Sequence, residues 1–195
     1  MSMRVLGLDP GTATFGWGVV EVGGARPAHI AHGALRTAAT HTLGVRLSTV
    51  RDGIIALIAE HRPDRIAIER IFSQSNVQSA VAIGAARGVA LLVAADHNIE
   101  VVEATPSEMK RAIAGDGRAT KAAVTKAITK LLALQTAPTP DDAADALALA
   151  LWGAGARKIE HRSGSSKLDR SASAAVAAES GFDRAVRAAL RAGRS

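Results

Sequence analysis

The chain has no cysteine and no tyrosine among its 195 residues, and aromatic residues make up only 3% of it. Without thiols it can form neither a disulfide nor a thiolate metal site. Its six histidines show no ligand spacing such as HExxH, so we expect no zinc centre. No uninterrupted apolar run approaches the length of about 18 residues that is typical of a membrane span. The first strand pattern begins almost at the N-terminus, so we also expect no signal peptide, and a cytoplasmic location is the default expectation.

The positive charge of the chain is concentrated near its C-terminus. Residues 1–155 contain 15 lysines and arginines against 14 acidic residues, whereas residues 156–195 contain 9 against 4. This contrast, together with the serine-rich stretch after residue 162, predicts one domain over 1–155 and a basic, flexible tail over 156–195. A basic tail is consistent with nucleic-acid binding but is also common as a solvated appendage.

Hydrophobic spacing predicts an α/β fold in which a mixed sheet has helices on both faces. Short apolar runs bounded by turn residues predict the strands, and apolar residues at helical spacing predict the helices. The predicted strands cover 5–8, 16–22, 28–36, 64–69 and 99–103, and the predicted helices cover 42–61, 77–96, 105–115, about 119–133 and 141–153.

Two of the predicted strands end in a carboxylate. Asp9 follows the run Val5–Leu8, and Glu69 ends the run 64–69. Ligands of open α/β sheets bind at the edge formed by the carboxyl ends of the strands. A metal-ligand role is therefore one interpretation of both residues. Taken alone, Asp9 in an Asp-Pro-Gly turn fits a turn-capping role equally well, and Glu69 fits an ordinary strand end.

The predicted last helix carries two more carboxylates on one face. Asp142 and Asp145 are three residues apart, which places them on the same side of a helix. Asp142 also lies three residues after Thr139, so a capping box is an alternative for it. For Asp141 we favour a structural role that complements the helix dipole. Asp145 lies a full turn inside the helix, where that benefit fades, so a structural explanation is weaker there.

Four carboxylates at one sheet edge would repel each other strongly if all were ionised. Mg²⁺ relieves such repulsion, because it prefers carboxylate and water oxygens and leaves positions open for phosphate. Two ions roughly 4 Å apart can stabilise the attacking and the leaving oxygen of a phosphoryl displacement. The pattern therefore fits phosphodiester hydrolysis by water bound to Mg²⁺, or to Mn²⁺ in its place, and is compatible with two such ions.

Several segments, taken in order over roughly residues 3–155, resemble the RuvC family of bacterial Holliday-junction resolvases. They are LGLDPGTATFGWGVV, IAIERIF, GAARGVA and DDAADALALAL. The resemblance implies an RNase H-like fold and a homodimer that cuts opposing strands of four-way DNA junctions symmetrically. It also implies 5′-phosphate and 3′-hydroxyl nicks, a role in recombination and repair, and a branch-migration complex with RuvA and RuvB.

The resemblance assigns the catalytic and metal-binding positions to Asp9, Glu69, Asp142 and Asp145. Asp142 is the less certain of the last pair, because some members have histidine at that position. In the implied mechanism one ion activates water and the other stabilises the departing 3′ oxygen. Arg70 departs from the glutamine or glutamate that more often follows the second acidic residue.

The resemblance also implies three DNA contacts. Phe72 matches an aromatic residue that stacks on a junction base, an interaction worth about 1–3 kcal/mol per base. Lys110 and Lys121 match basic residues that neutralise the scissile phosphate or hold the DNA backbone. For Lys126 and Lys130 we favour solvated surface residues.

Two other function classes, a phosphotransferase and a junction-binding protein without catalytic activity, fit part of the sequence pattern. Asp9, Gly11 and Thr12 resemble the first phosphate loop of actin-like and sugar-kinase phosphotransferases, but those proteins need a second lobe and a second phosphate loop. A junction-binding protein without catalytic activity would have no reason to keep four acidic residues together. We therefore favour the endonuclease.

Overall fold

The computed structural model describes residues 2–11, 13–70 and 77–156, and in these ranges the chain forms one five-stranded sheet and five helices. Phe72, Thr12 and the predicted tail beyond Ala156 lie outside the described residues. The strands are β1 (Met3–Asp9), β2 (Thr14–Val22), β3 (Ala28–Arg36), β4 (Arg65–Glu69) and β5 (Glu100–Ala104). The helices are α1 (Leu43–His61), α2 (Val77–Asp96), α3 (Pro106–Ala114), α4 (Lys121–Leu131) and α5 (Asp141–Gly155).

The sheet is mixed, as the sequence predicted, with the order β3-β2-β1-β4-β5. The meander β1-β2-β3 is antiparallel. Strand β4 pairs with β1 in parallel, and β5 pairs with β4 in parallel. Helix α1 precedes β4 along the chain, and α2 connects β4 with β5. Strand β1 is central and has helices packed on both of its faces, which explains why Val5, Leu6 and Leu8 are all fully buried.

Two hydrophobic cores cover the two faces of the sheet. On one face Leu6, Leu8 and Ile68 pack against α1 and α2. On the other face Val5 and Ala67 pack against α3, α4 and α5. This alternation along β1 and β4 follows the two-residue period of a strand. The helices therefore lie on both faces, which confirms the predicted α/β architecture.

Helix boundaries follow local capping. Thr105 and Glu108 form a reciprocal capping box at the start of α3, as predicted, and Gly115 ends that helix in the left-handed region with φ of 82°. The helix predicted over about 119–133 is shorter at both ends. Its side-chain cap is Thr120, whose hydroxyl accepts a hydrogen bond of 3.2 Å from the backbone N–H of Ala123.

Helix α5 lies directly on β1 and β2 because glycines face it. A Cβ atom at Gly7 would overlap the carbonyl oxygen of Ala146, and one at Gly16 would overlap that of Asp142. Residues 146–150 are buried on every side, in agreement with the all-apolar pattern of this helix. This close contact fixes the start of α5 against β2.

Helix α2 departs from one expectation. Among the described residues it is the one helix that is long and apolar enough to cross a membrane by length and composition. Gln78, Ser79 and Arg87 interrupt its apolar residues, so the helix contains no long uninterrupted apolar run. Its inner face, which includes Ala90 and Val93, packs into the core of the sheet, so we interpret α2 as a sheet-covering helix.

Candidate active site

The ends of β1 and β4 bring Asp9 and Glu69 together. The two strands are parallel neighbours, and Leu8 is paired with Ile68 in their register. The residues that follow are Asp9 and Glu69, so both carboxylates lie at the same edge of the sheet. In the described part of the chain no hydrogen bond to the Asp9 side chain is found, which weighs against a turn-capping role for it.

The first turns of α5 carry the other acidic residues to this edge. The N-cap residue of α5 is Pro140, and no side chain caps the helix. The capping box of Thr139 with Asp142, one alternative from the sequence, is therefore wrong. Asp141 and Asp142 do occupy the first turn, where they complement the helix dipole.

A cleft of about 220 Å³ contains most of the predicted site. Asp145 joins Asp9 and Glu69 in its lining, and Asp142 does not. Asp142 lies beside the cleft, where its backbone packs against Gly16. The remaining lining residues are Pro106, Met109, Lys110, Lys121, Val124 and Leu149.

The electrostatics of the cleft are dominated by crowded carboxylates. Burial raises the pKa of Asp9 to about 8, and the charges of Asp145, Glu69 and Asp142 add to this rise. Burial and the charge of Asp145 also raise the pKa of Glu69. Asp142 thus acts electrostatically on Asp9 although it does not line the cleft. Because burial and mutual repulsion destabilise the ionised carboxylates, binding of a cation in the cleft would be favourable.

Both predicted lysines lie in the cleft. Lys121 Nζ donates a hydrogen bond of 2.9 Å to Oδ2 of Asp145. This hydrogen bond and the Asp145 charge raise the pKa of Lys121. The charges of Lys121 and Lys110 oppose the rise in the pKa of Glu69. Both ammonium groups therefore act electrostatically on the carboxylates of the cleft.

The donor set fits Mg²⁺ or Mn²⁺ in chemistry. It consists of carboxylates whose mutual repulsion a divalent cation would relieve. As the side chains stand, however, no group of three or more His, Cys, Asp or Glu within the described residues is arranged to hold a metal ion. The Lys121 ammonium instead neutralises Asp145. Asp9, Glu69 and Asp145 line one cleft, and their side chains would have to rotate before they could share one ion.

Arg70, the unusual neighbour of Glu69, points to the next strand. Its Nε lies 3.5 Å from Oε2 of Glu103 on β5, and Arg87 of α2 forms an ion pair with the same carboxylate. The backbone N–H of Arg70 donates to the carbonyl of Ala104 at 2.7 Å. Arg70 therefore helps to fix the position at which the chain leaves β4.

The apolar wall of the cleft was not predicted from the sequence. Met109, Val124 and Leu149 come from α3, α4 and α5, and they line the cleft opposite the sheet edge. Each also fits an ordinary core position in its helix. No sequence signal distinguishes them, because their convergence depends on how three helices pack. The predicted base-stacking residue Phe72 lies outside the described residues and stays a prediction.

Comparison with known proteins decides the family. The family model described as crossover junction endodeoxyribonuclease RuvC matches residues 5–152. The chain belongs to this family. The match spans the sheet, the cleft and nearly all of α5, so the resemblance inferred from the sequence segments is confirmed.

Curated relatives and solved structures agree with this assignment. RuvC of Rubrobacter xylanophilus is 43% identical over 163 residues, which cover 84% of this chain and 91% of the relative. RuvC of Streptomyces coelicolor is 49% identical and covers 76% of this chain and 80% of the relative. The structure of T. thermophilus RuvC in complex with a Holliday junction substrate is 32% identical, covers 78% of this chain and 93% of that chain, and has a TM-score of 0.74.

A more distant structure supports the fold alone. The yeast mitochondrial Holliday junction resolvase Ydc2 is 15% identical, covers 78% of this chain and 79% of its own, and superposes with a TM-score of 0.57. The predicted RNase H-like, mixed five-stranded fold is thus confirmed.

Proposed function

We propose that the chain is a metal-dependent endonuclease that cuts opposing strands of a four-way DNA junction. The observation that carries this proposal is the convergence of Asp9, Glu69 and Asp145 with two lysines in one cleft of a RuvC-family fold. A solved relative with the same fold was determined with a Holliday junction substrate. The expected products are nicks with 5′-phosphate and 3′-hydroxyl ends, as required in recombination and repair.

The residues of the cleft divide into two groups by charge. Asp9, Glu69 and Asp145 would hold the metal ions, and Asp142 would join them or act on Asp9 through its charge. When bound, two Mg²⁺ ions would activate water and stabilise the leaving oxygen. Lys110 and Lys121 supply positive charge for the scissile phosphate, which carries a negative charge into an already acidic cleft.

The ion pair between Lys121 and Asp145 supports an order of events. Without DNA, the ammonium offsets one carboxylate and lowers the charge of the cleft. A phosphate brought into the cleft offers the ammonium a second anionic partner. Asp145 then becomes available as a ligand. We infer that full loading of the metal site accompanies DNA binding.

We propose that two copies of the chain pair through α2, as a symmetric double cut requires. An outward stripe of α2, the α2 stripe, consists of Val77, Val81, Gly84, Gly88 and Leu92. Val77, Val81 and Leu92 are 77%, 61% and 61% exposed. Their spacing places all five on one side of the helix, over about 22 Å.

The two glycines of the α2 stripe favour a second helix as its partner. A Cβ atom at Gly84 or Gly88 would meet nothing within 4 Å, so none of the described residues fills the space above them. Glycines four residues apart form a notch that lets another helix approach closely. A two-fold axis near this notch would place the same stripe on both sides, as an isologous interface requires.

Several finer assignments stay proposals. RuvA and RuvB are proposed partners of the junction complex, and the cytoplasm is the proposed location. The basic tail over 156–195 would add salt-dependent attraction to DNA. Base stacking by Phe72 remains part of the proposed junction contact.

One assay tests the proposed substrate. The protein is incubated with a synthetic four-way junction and, separately, with linear duplexes of the same sequences, each in Mg²⁺ and in EDTA. We expect paired nicks on opposing strands of the junction only, and only in Mg²⁺. Binding without cleavage in Mg²⁺ and Mn²⁺, over varied junction sequences, would indicate a binding protein. Equal cleavage of duplex and junction would refute junction selectivity.

A further inference from the structure

A second and larger depression adjoins the acidic cleft. It has a volume of about 850 Å³ and shares Lys121 and Asp145 with the cleft, so the two depressions adjoin at this ion pair. One wall is the outer face of α4, with Thr125, Lys126 and Lys130. The other wall is the turn after α4 and the start of α5. We call this depression the α4 groove.

The α4 groove has two lysines that no acidic residue neutralises within the described ranges. Lys126 and Lys130 are exposed, and no ion pair of either is found there. They are four residues apart on α4, which places their Cβ atoms about 6 Å apart on one side of the helix. The acidic groups of the groove are Asp145, already paired with Lys121, and Asp141 on the opposite wall.

The α4 wall of the groove favours a sugar-phosphate backbone over bases. The described lining contains no aromatic side chain on which a base could stack. Ala122, Thr125 and Thr129 are small, so they leave room for a backbone to approach α4 closely. Lysines on flexible stems suit phosphate oxygens, which they contact without reading sequence.

We propose that the α4 groove binds the phosphate backbone of the junction arm next to the cleavage point, with Lys126 and Lys130 as its phosphate contacts. The proposal rests on the proposed function, because the scissile phosphate fixes where the arm begins. DNA that enters the acidic cleft past Lys121 would continue along α4 into the adjoining groove. The two lysines then act as binding residues, in contrast to the solvated role favoured from the sequence.

The α4 groove stays accessible in the proposed dimer. Helix α4 packs on the face of the sheet that holds α3 and α5, whereas α2 packs on the opposite face with α1. Pairing through the α2 stripe therefore leaves α4 uncovered. Each protomer would hold one arm in this way.

The test compares two double variants that remove the same charge. Lys126→Gln/Lys130→Gln removes both proposed contacts. Arg26→Gln/Arg62→Gln removes two exposed charges at the opposite edge of the sheet, near the start of β3 and the end of α1. For each protein, junction affinity is measured over a range of salt concentrations, and single-turnover cleavage is measured at saturating protein.

We expect a weaker and less salt-dependent affinity for the lysine variant alone. The plot of log K against log salt has a negative slope, and each lost phosphate contact reduces the magnitude of that slope by about 0.9. For two lost contacts the magnitude should decrease by about 1.8. Its cleavage rate at saturation should remain within about twofold of the wild type, because neither lysine lines the acidic cleft.

Three results would overturn the proposal: an unchanged slope for the lysine variant, an equal fall for the arginine control, or normal affinity with slower cleavage at saturation. The first means no contact, the second a general charge effect, and the third a role in the chemistry. A wild-type protein that binds junctions without cutting them would refute the proposed function instead, and the salt slopes would still decide the α4 groove.

Discussion

Lys121 on α4 is joined to Asp145 on α5 by a hydrogen bond of 2.9 Å between Nζ and Oδ2. The pair connects a predicted DNA contact with a predicted metal ligand. The lysine side chain is 71% exposed and the aspartate 21%, so the ammonium reaches in from solvent to an enclosed carboxylate. In the proposed function, a metal ion and the Lys121 ammonium would compete for the Asp145 carboxylate.

Lys121→Gln should change metal affinity and cleavage in opposite directions. Without the ammonium, Asp145 is no longer neutralised, so Mn²⁺ should bind more tightly in the absence of DNA. Cleavage of the junction should fall by about tenfold or more, because a charge-assisted contact to the phosphate is lost. Calorimetry with Mn²⁺ and a cleavage time course give the two readouts. A variant that loses metal affinity would show that Lys121 supports the site structurally and does not compete with the ion.

The raised pKa of Asp9 predicts how the stability of the metal-free protein depends on pH. Folding raises this pKa from 3.8 to about 8, so the folded state holds the proton more tightly than the unfolded state. The unfolded state then binds fewer protons between these values, and stability falls as the pH rises through this range. In EDTA the melting temperature should therefore drop between about pH 5 and about pH 9.

Asp9→Asn isolates the contribution of this carboxyl group to that fall. We expect the variant to melt several degrees above the wild type near pH 9 in EDTA and close to it near pH 5, because about 1 kcal/mol corresponds to about 2–4 °C at this size. Asp96→Asn, at the exposed end of α2, is the control and should leave the pH slope unchanged. An equal slope in wild type and Asp9→Asn would remove Asp9 as its source.

Gly16→Ala should displace the start of α5. The new methyl group would overlap the carbonyl oxygen of Asp142, so strand and helix must move apart. Overpacking of this kind costs about 1–3 kcal/mol, and we expect a lower melting temperature together with slower cleavage. Gly44→Ala, with no atom within 4 Å of the new Cβ, is the matched control and should retain both properties. Full activity of Gly16→Ala would mean that the position of Asp142 matters little.

Val81→Glu should disrupt the proposed dimer. Its charge would lie in the centre of the α2 stripe, where pairing would bury it without a partner. We expect a monomer by light scattering and the loss of paired cuts. Val45→Glu introduces the same charge at a 50% exposed position of α1 and should leave the molecular mass of the dimer, measured by light scattering, unchanged. A Val81→Glu protein that still forms the wild-type dimer would place the interface elsewhere.

Much of the fold could be predicted because local signals agreed with the tertiary structure. Apolar runs that stop at Asp9 and Glu69 identified two central strands and the edge at which they end. An all-apolar α5 with acidic residues in its first turns identified the buried helix. The strands and helices lie within about two residues of their predicted bounds, since turn and capping residues such as Thr105 mark the ends.

The remaining features depend on contacts that no local pattern encodes. Thr139 and Asp142 have the spacing of a capping box, but α5 starts after Pro140 without a side-chain cap. Lys126 and Lys130 resemble solvated residues in α4, and the α4 groove exists only because the start of α5 packs beside them. The ion pair of Arg70 with Glu103 follows from the register of β4 and β5.

The most direct test of the central claim, that the acidic cleft is the endonuclease centre, is the behaviour of Asp9→Asn on a four-way junction. Binding and cleavage are measured on the same junction in Mg²⁺. We expect cleavage to be abolished while junction affinity stays within a fewfold of the wild type, because the variant loses a ligand charge and no DNA contact. Normal cleavage by Asp9→Asn, or the loss of junction binding in a folded variant, would contradict it.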